Sequence, residues 1–127
     1  MFARALGFHW KPASMWIGQI CTEDEEMLAE FSVVPIGKGE SVSQYVAECL
    51  KIVEASGIAY KLNPMGTVLE GDYDAVMAVI RACHVRVMGI CPRVMTTVRI
   101  DDRKGVQNAL EKKIASVEKK VGKELKK

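Results

Sequence analysis

Two stretches of this chain carry apolar residues at helical spacing, and each lies between segments that resemble β-strands. The first stretch follows Ser41 and ends at Gly57, and the second follows Asp72. Residues three and four apart share one side of a helix, so each stretch predicts a helix with a single apolar stripe. Such a helix packs one face against a sheet. The stripes are Val42, Tyr45, Val46, Cys49, Leu50 and Val53, and then Tyr73, Val76, Met77, Ile80, Cys83, His84 and Val87.

Four segments have the alternation or the β-branched composition of strands. The first closes with Pro35 and Gly37, which are typical turn residues. Asn63-Pro64 forms the bend between the second and third segments, because proline cannot donate to a strand ladder. The segments are LAEFSVVPIG (28–37), IAYKL (58–62), MGTVLEG (65–71) and PRVMTTVRID (92–101).

The order of elements is strand, helix, strand, strand, helix, strand, and a third helix ends the chain. Two successive strand-helix-strand units predict an α+β fold of the ferredoxin-like βαββαβ type, with two helices on one face of a four-stranded antiparallel sheet. The chain of 127 residues has room for one such domain. The additional C-terminal helix has its own stripe, formed by Leu110, Ile114, Val117, Val121 and Leu125.

Charge and composition exclude several classes of protein. The net charge of +2 is small, and the basic residues are not interleaved with aromatics, so nucleic acid is not a predicted partner. The lysine-rich C-terminal helix is interpreted as a solvated face rather than a site for an anionic partner. No apolar run approaches the roughly 20 residues that cross a bilayer.

The cysteines and histidines predict neither a metal site nor a bound cofactor. No CxxC pair is present, and the histidines are far apart and out of register with the cysteines. Cysteines on apolar helix faces behave as small hydrophobes, which favours a reducing compartment. His84 is interpreted as a hydrogen-bonded histidine at the edge of the core. The residues concerned are Cys21, Cys49, Cys83 and Cys91, together with His9 and His84.

Residues 1–26 differ from the rest, since they have no clear period and end in an acidic run. The segment is a targeting peptide, a real extension packed on the domain, or a non-native start before a true first residue at Met27. The last interpretation is preferred because the regular pattern begins after Met27. The domain is therefore predicted to span residues 27–127.

The sheet face away from the first two helices has mixed composition. By alternation it displays polar residues together with apolar patches, which is too mixed for a second core and too apolar to be left bare. We therefore expect a homo-oligomer. The predicted residues are Glu30, Ser32, Lys61, Gly66 or Thr67, Thr97 and Arg99.

Motifs for catalysis are absent from the sequence. It contains no P-loop, GxGxxG, HExxH or nucleophile elbow. Acid-base chemistry would require Glu30, Glu70 and Arg99 to cluster in the fold. We therefore predict a protein that is not an enzyme.

Two groups of residues are candidates for a binding site. After Pro35 and Gly37, the hydroxyls of Ser41 and Ser43 meet the backbone N–H groups of a helix start, where polar or anionic groups bind. Helix capping by Ser41 explains the same residues without a ligand. The second group supplies an amide, a close backbone approach and a hydroxyl, although a hairpin with a bulge explains it equally well. It consists of Asn63, Gly66 and Thr67.

From Met27 onward the chain resembles the thiamine-binding protein family of small conserved proteins. The residues that carry the resemblance are PIG, SVSQYV, PMGTVLEG and IDDR, in this order and spacing. The resemblance implies a ferredoxin-like, cytoplasmic protein assembled as dimers or tetramers. It also implies binding of thiamine or its hydroxymethylpyrimidine part, with no reaction. An alternative is a regulatory or scaffolding module that binds another metabolite or a protein.

A site for thiamine requires an aromatic or thioether surface for the flat aminopyrimidine ring and a negatively charged group near the cationic thiazolium ring. Phe31, Tyr45 and Met65 are candidates for the surface, and Glu30 or Glu70 for the charge. Carried over by position from the family, the ligand-binding residues are Pro35, Gly37, Ser41, Ser43, Asn63, Met65, Gly66 and Thr67.

Overall fold

The computed structural model describes residues 26–127, so the interpretation of the N-terminal segment lies outside the described residues except for Glu26. Within that range the chain forms four strands and three helices in the predicted order. The ferredoxin-like arrangement with an added C-terminal helix is confirmed. The elements are β1 (Met27–Pro35), α1 (Ser43–Ser56), β2 (Ala59–Asn63), β3 (Gly66–Gly71), α2 (Tyr73–Met88), β4 (Val94–Asp101) and α3 (Ala109–Val121).

The sheet is antiparallel throughout, with the strand order β2-β3-β1-β4. Strand β1 is central and pairs with β3 along one edge and β4 along the other. Its alternate residues are buried against α1 and α2, whereas the intervening ones face the other side. The prediction of two helices on one face is therefore confirmed.

The core lies between the sheet and these two helices. Strand β1 contributes Met27, Ala29, Phe31 and Val33, all buried. The predicted helical stripes supply the other side of the core, which the regular 3.6-residue period makes possible. Its buried helical members are Tyr45, Cys49 and Val53 from α1, and Val76, Val79, Ile80, Cys83 and Val87 from α2.

The two helix starts differ in how they are capped. The Asp72 side chain accepts a hydrogen bond of 2.8 Å from the Ala75 N–H, as predicted. The prediction that Ser41 caps α1 is wrong. Val42 is the N-cap residue, and no side chain makes a cap hydrogen bond there. The Val42 carbonyl accepts the first helical bonds, which leaves Ser41 outside the helix. The Ser41 hydroxyl lies 3.3 Å from the Ser43 hydroxyl instead.

The hairpin between β2 and β3 has a two-residue turn. Its register is uniform from Asn63↔Gly66 to Ala59↔Glu70, so the hairpin contains no bulge at Gly66. Met65 lies in the turn and is 90% exposed, which makes the predicted strand start at this residue wrong by one position. Pro64 occupies a turn position where its missing N–H costs no ladder bond.

Helix α3 lies on the sheet face opposite α1 and α2. The buried Glu70 carboxylate accepts a hydrogen bond of 3.0 Å from the Leu110 N–H, and Lys113 forms an ion pair with Asp101. A carboxylate at a helix start also interacts favourably with the helix dipole. Helix α3 thus covers part of the sheet face for which the sequence analysis predicted contact with another subunit.

We expect Asp72→Ala to lower the free energy of unfolding by about 0.5–2 kcal/mol, because the first turn of α2 loses its side-chain acceptor. Urea denaturation measures the change. Asp72→Ser is the matched control, since a serine oxygen also caps a helix and restores most of the loss. Equal stability of the two variants would contradict a capping role.

Candidate ligand-binding site

A notch interrupts the sheet beside the end of β1. The ladder between β1 and β3 ends at Phe31↔Thr67, whereas β1 stays paired with β4 as far as Pro35↔Val94. The turn that starts β3 causes this difference in length. Among residues 26–127, no strand therefore pairs with the β3-facing edge of β1 from Ser32 to Pro35.

Backbone polar groups face this notch. The Ile36 N–H donates to the Arg93 carbonyl at 2.8 Å, which continues the β1–β4 ladder by one hydrogen-bonded pair. In an antiparallel sheet, successive residues direct their N–H and C=O groups to opposite edges. The N–H and C=O of Val33 are therefore directed away from β4, toward the notch.

A cavity of about 410 Å³ lies next to the notch, between β1, α1 and the hairpin. This volume lies within the range of roughly 300–1,000 Å³ that is typical of small-molecule sites. Of the residues from Glu26 onward, no aspartate, glutamate, lysine, arginine or histidine forms part of its wall. The lining residues are Phe31, Ser32, Val33, Val34, Val42, Val46, Cys49, Leu50, Leu62, Asn63, Pro64, Met65, Gly66 and Thr67.

The polar side chains in the cavity wall have no hydrogen-bond partner among residues 26–127. Thr67 is only 4% exposed, and its hydroxyl makes no hydrogen bond to any residue of the described range. The same is true of the side chains of Ser32 and Asn63. No fully buried side-chain oxygen or nitrogen atom of the described residues lacks a partner, so the Thr67 hydroxyl is open to the cavity, where a polar ligand or a water molecule can reach it.

Cys49 forms part of the cavity wall and is in contact with Cys83 on α2. The Cys83 thiol lies 3.5 Å from the Cys49 carbonyl, and the Cys49 thiol lies 4.0 Å from the Cys83 carbonyl. The hydrogen bond with the Cys49 side chain, helped by burial, raises the pKa of Cys83. Both cysteines are free thiols, so the pair supplies packing between α1 and α2.

A second, more open space adjoins the cavity at the start of α1 and is called here the hollow. Its volume is about 680 Å³. Five of its residues also line the cavity, so the two spaces adjoin, and together they are called the cleft. The hollow is lined by Glu40, Ser41, Val42, Ser43, Val46, Leu62, Asn63 and Pro64.

The structure divides the predicted site residues into three sets. Asn63, Met65, Gly66 and Thr67 line the cavity, and Ser41 and Ser43 line the hollow. Neither Pro35 nor Gly37 forms part of either wall. Pro35 is buried at the end of β1, and Gly37 is exposed in the loop that follows.

The remaining candidates have other surroundings. Phe31 lines the cavity, but Tyr45 is buried outside its wall. Glu30 accepts a hydrogen bond of 2.8 Å from Arg99, and Glu70 is held by α3, so neither carboxylate lines the cleft.

The sequence analysis did not place Ser32, Cys49 or Glu40 in the site. The alternation of β1 assigned Ser32 to the opposite sheet face, and only the end of the ladder shows that the cavity reaches it. Cys49 belongs to a helical stripe that predicts core packing. Glu40 follows a glycine-rich loop, and the position of a loop residue is not encoded in periodicity.

Gly66 has a structural explanation that requires no ligand. A Cβ atom at this position would lie 3.2 Å from the Glu30 Cγ atom and 3.2 Å from the Phe31 carbonyl oxygen. Both contacts are tighter than an ordinary van der Waals distance. Glycine therefore allows the hairpin to approach β1 at the point where the notch begins. Of the two residues considered for the open sheet face, Gly66 lies there and Thr67 faces the helices.

His84 is hydrogen-bonded, as predicted. Its Nδ1 atom lies 2.6 Å from the Thr96 hydroxyl, which joins α2 to β4. Within residues 26–127, no three histidine, cysteine, aspartate or glutamate side chains are arranged to hold a metal ion. The helices of the same range include none with the length and apolar content needed to cross a membrane.

The fold and the cleft define a small ferredoxin-like domain with a cavity of ligand size. Residues 29–118 match the family described as Thiamine-binding protein, and the chain belongs to this family. Curated relatives include the UPF0045 protein MJ1052 of Methanocaldococcus jannaschii, which is 36% identical over 92 residues. That match covers 72% of this chain and 92% of the relative. YqgV of Bacillus subtilis, also a UPF0045 protein, is 44% identical over 99 residues, covering 72% of this chain and 94% of the relative.

Solved structures support the same fold. The crystal structure of MJ1052 matches with a TM-score of 0.69 and 35% identity, covering 73% of this chain and 96% of that one. A Thermotoga maritima protein, TM0486, matches with a TM-score of 0.65 over 72% of this chain and 98% of its own. Because its sequence identity is 17%, this match supports the fold alone.

We expect Gly66→Ala to lower the free energy of unfolding by about 1–3 kcal/mol, because the added methyl group meets the Phe31 carbonyl on the central strand. Chemical denaturation measures this change. The control is Met65→Ala in the same turn, where the side chain is exposed and the change stays within about 0.5 kcal/mol. Full stability of the Gly66 variant would mean that β1 and the hairpin are not in close contact.

Proposed function

We propose that this protein binds thiamine or its hydroxymethylpyrimidine part in the cavity, without catalysing a reaction. The observation that carries the proposal is a cavity of ligand size whose wall, among residues 26–127, contains the unpartnered Thr67 hydroxyl and no ionised side chain. Such a wall favours a neutral, flat ligand with a few hydrogen-bonding atoms. An aminopyrimidine has this chemistry.

The groups around the cavity match the parts of an aminopyrimidine. Phe31 and Met65 offer an aromatic and a thioether surface to the ring. The Thr67 hydroxyl and the Asn63 amide both donate and accept hydrogen bonds, so they suit the amino group and the ring nitrogens. The Val33 backbone at the notch adds one donor and one acceptor.

Similarity to other proteins supports the same ligand class. The matching family, which covers residues 29–118, is described as Thiamine-binding protein. We propose the ligand class of this family for the present chain. Its cavity residues Phe31 and Thr67 lie within the matched range.

The protein is proposed to act as a homo-oligomer, either a dimer or a tetramer. The face opposite α1 and α2 retains exposed apolar side chains beyond α3, among them Val34 (37% exposed) and Met95 (55% exposed). Strand β4 is also an edge strand, which presents unpaired backbone groups. Light scattering after size-exclusion chromatography measures the mass, and a monomer at all concentrations would contradict this part of the proposal.

The cytoplasm is the proposed compartment. Cys49, Cys83 and Cys91 are free thiols, which a reducing environment maintains. The contact between Cys49 and Cys83 makes this observation informative, because neighbouring thiols in an oxidising compartment tend to form disulfides.

Isothermal titration calorimetry with thiamine and with hydroxymethylpyrimidine tests the ligand. We expect saturable binding of at least one of them, together with a rise in the melting temperature. Absence of both heat and a thermal shift at millimolar ligand would reject the proposal. The alternative of a regulatory or scaffolding module would then become the leading hypothesis.

We expect Thr67→Val to raise the ligand Kd about 2- to 10-fold, because the ligand loses one neutral hydrogen bond. The free energy of unfolding stays nearly unchanged, since the hydroxyl has no partner within the described range. Calorimetry and urea denaturation measure the two quantities. Thr97→Val, on an exposed position of β4, is the control and leaves Kd unchanged. Equal affinity of wild type and Thr67→Val would remove Thr67 from the site.

A further inference from the structure

We infer that Glu40 makes this site selective for the cationic, intact thiamine over its neutral pyrimidine part. The inference rests on the proposed function and assigns a specificity-determining residue to it. In the part of the chain that the structure describes, Glu40 is the one carboxylate in the walls of the cavity and the hollow. Within the described range it has no ion-pair or hydrogen-bond partner, so its charge is available to a ligand.

The position of the hollow beside the cavity determines which part of a ligand meets Glu40. The cavity and the hollow share Val42, Val46, Leu62, Asn63 and Pro64. A molecule whose pyrimidine ring occupies the uncharged cavity therefore extends its other half into the hollow. In thiamine that half is the thiazolium ring, whose positive charge does not suit the cavity itself.

The positive end of the helix dipole at the start of α1 disfavours a cation in the hollow, but its charge is smaller than that of Glu40. Its unpaired N–H groups carry an effective charge of roughly +0.5, whereas an ionised carboxylate carries a full negative charge. Lys38 precedes Glu40 by two residues and is exposed outside the walls of the cleft. The electrostatic balance of the hollow therefore favours a cation.

The loop that carries Glu40 has a defined backbone. Gly37 and Gly39 have φ angles of +82° and +90°, which residues with a side chain rarely adopt. The loop that contains these two glycines leads from the end of β1 to the start of α1. Glu40 follows Gly39 directly and forms part of the wall of the hollow.

The test compares thiamine and hydroxymethylpyrimidine, at mildly alkaline pH where the pyrimidine is uncharged, in wild type, Glu40→Gln and Glu40→Lys. We expect the thiamine Kd to rise about 2- to 5-fold in Glu40→Gln, as for an exposed ion pair, and further in Glu40→Lys. The Kd of the neutral pyrimidine stays unchanged. Added salt weakens thiamine binding to wild type more than to Glu40→Gln, because salt screens exposed charges.

Asp102→Asn is the matched control. It removes the same charge from an exposed residue that follows β4, and Asp102 belongs to neither wall. We expect it to leave both affinities unchanged.

The outcomes separate this inference from the proposed function. If wild type binds neither molecule, both are rejected. If wild type binds the pyrimidine but not thiamine, or if Glu40→Gln changes both affinities equally or neither, the role of Glu40 is rejected and pyrimidine binding stands. Tighter binding of thiamine diphosphate than of thiamine, with no effect of Glu40→Gln on thiamine, would assign the hollow to an anion at the start of α1.

Discussion

Strand β1 is hydrogen-bonded along both edges, but its neighbour β3 is too short to follow it to its end. The turn at Pro64 and Met65 sets this difference, and Gly66 lets the hairpin come close to β1 just before the ladder stops. The result is a gap in the sheet with a rigid strand on one side and α1 on the other. Along the gap, β1 is still held by its ladder with β4.

The two faces of the sheet have separate roles. On one face, α1 and α2 bury the apolar residues of β1 and close the core. On the other, α3 is attached by Glu70 and by the ion pair of Lys113 with Asp101. Glu30 is paired with Arg99 on that same face. The carboxylates that the sequence offers as counter-charges for a ligand are thus engaged in the fold, and Glu40 remains beside the cleft.

Much of the fold was predictable because it depends on local patterns. The helical stripes and strand alternation follow from the geometry of the backbone, so they identified every helix and strand of the described range. Asp72 was predicted correctly as a cap, since the bond to Ala75 joins residues three apart. The prediction of Ser41 as a cap was wrong, because the position of the first helical residue depends on the path of the preceding loop. Half of the predicted site lines the cavity because Asn63 to Thr67 are adjacent in sequence and share one hairpin.

The sequence by itself determined the type and order of the elements and the face that each turns to the core, since these depend on the direction of side chains along a regular backbone. Only the tertiary structure decided where the sheet is incomplete. The gap arises from the different lengths of two strands that lie more than thirty residues apart, and the sequence contains no local signal for where a ladder ends. The same long-range pairing places Ser32 and Thr67, which belong to different strands, in the wall of one cavity.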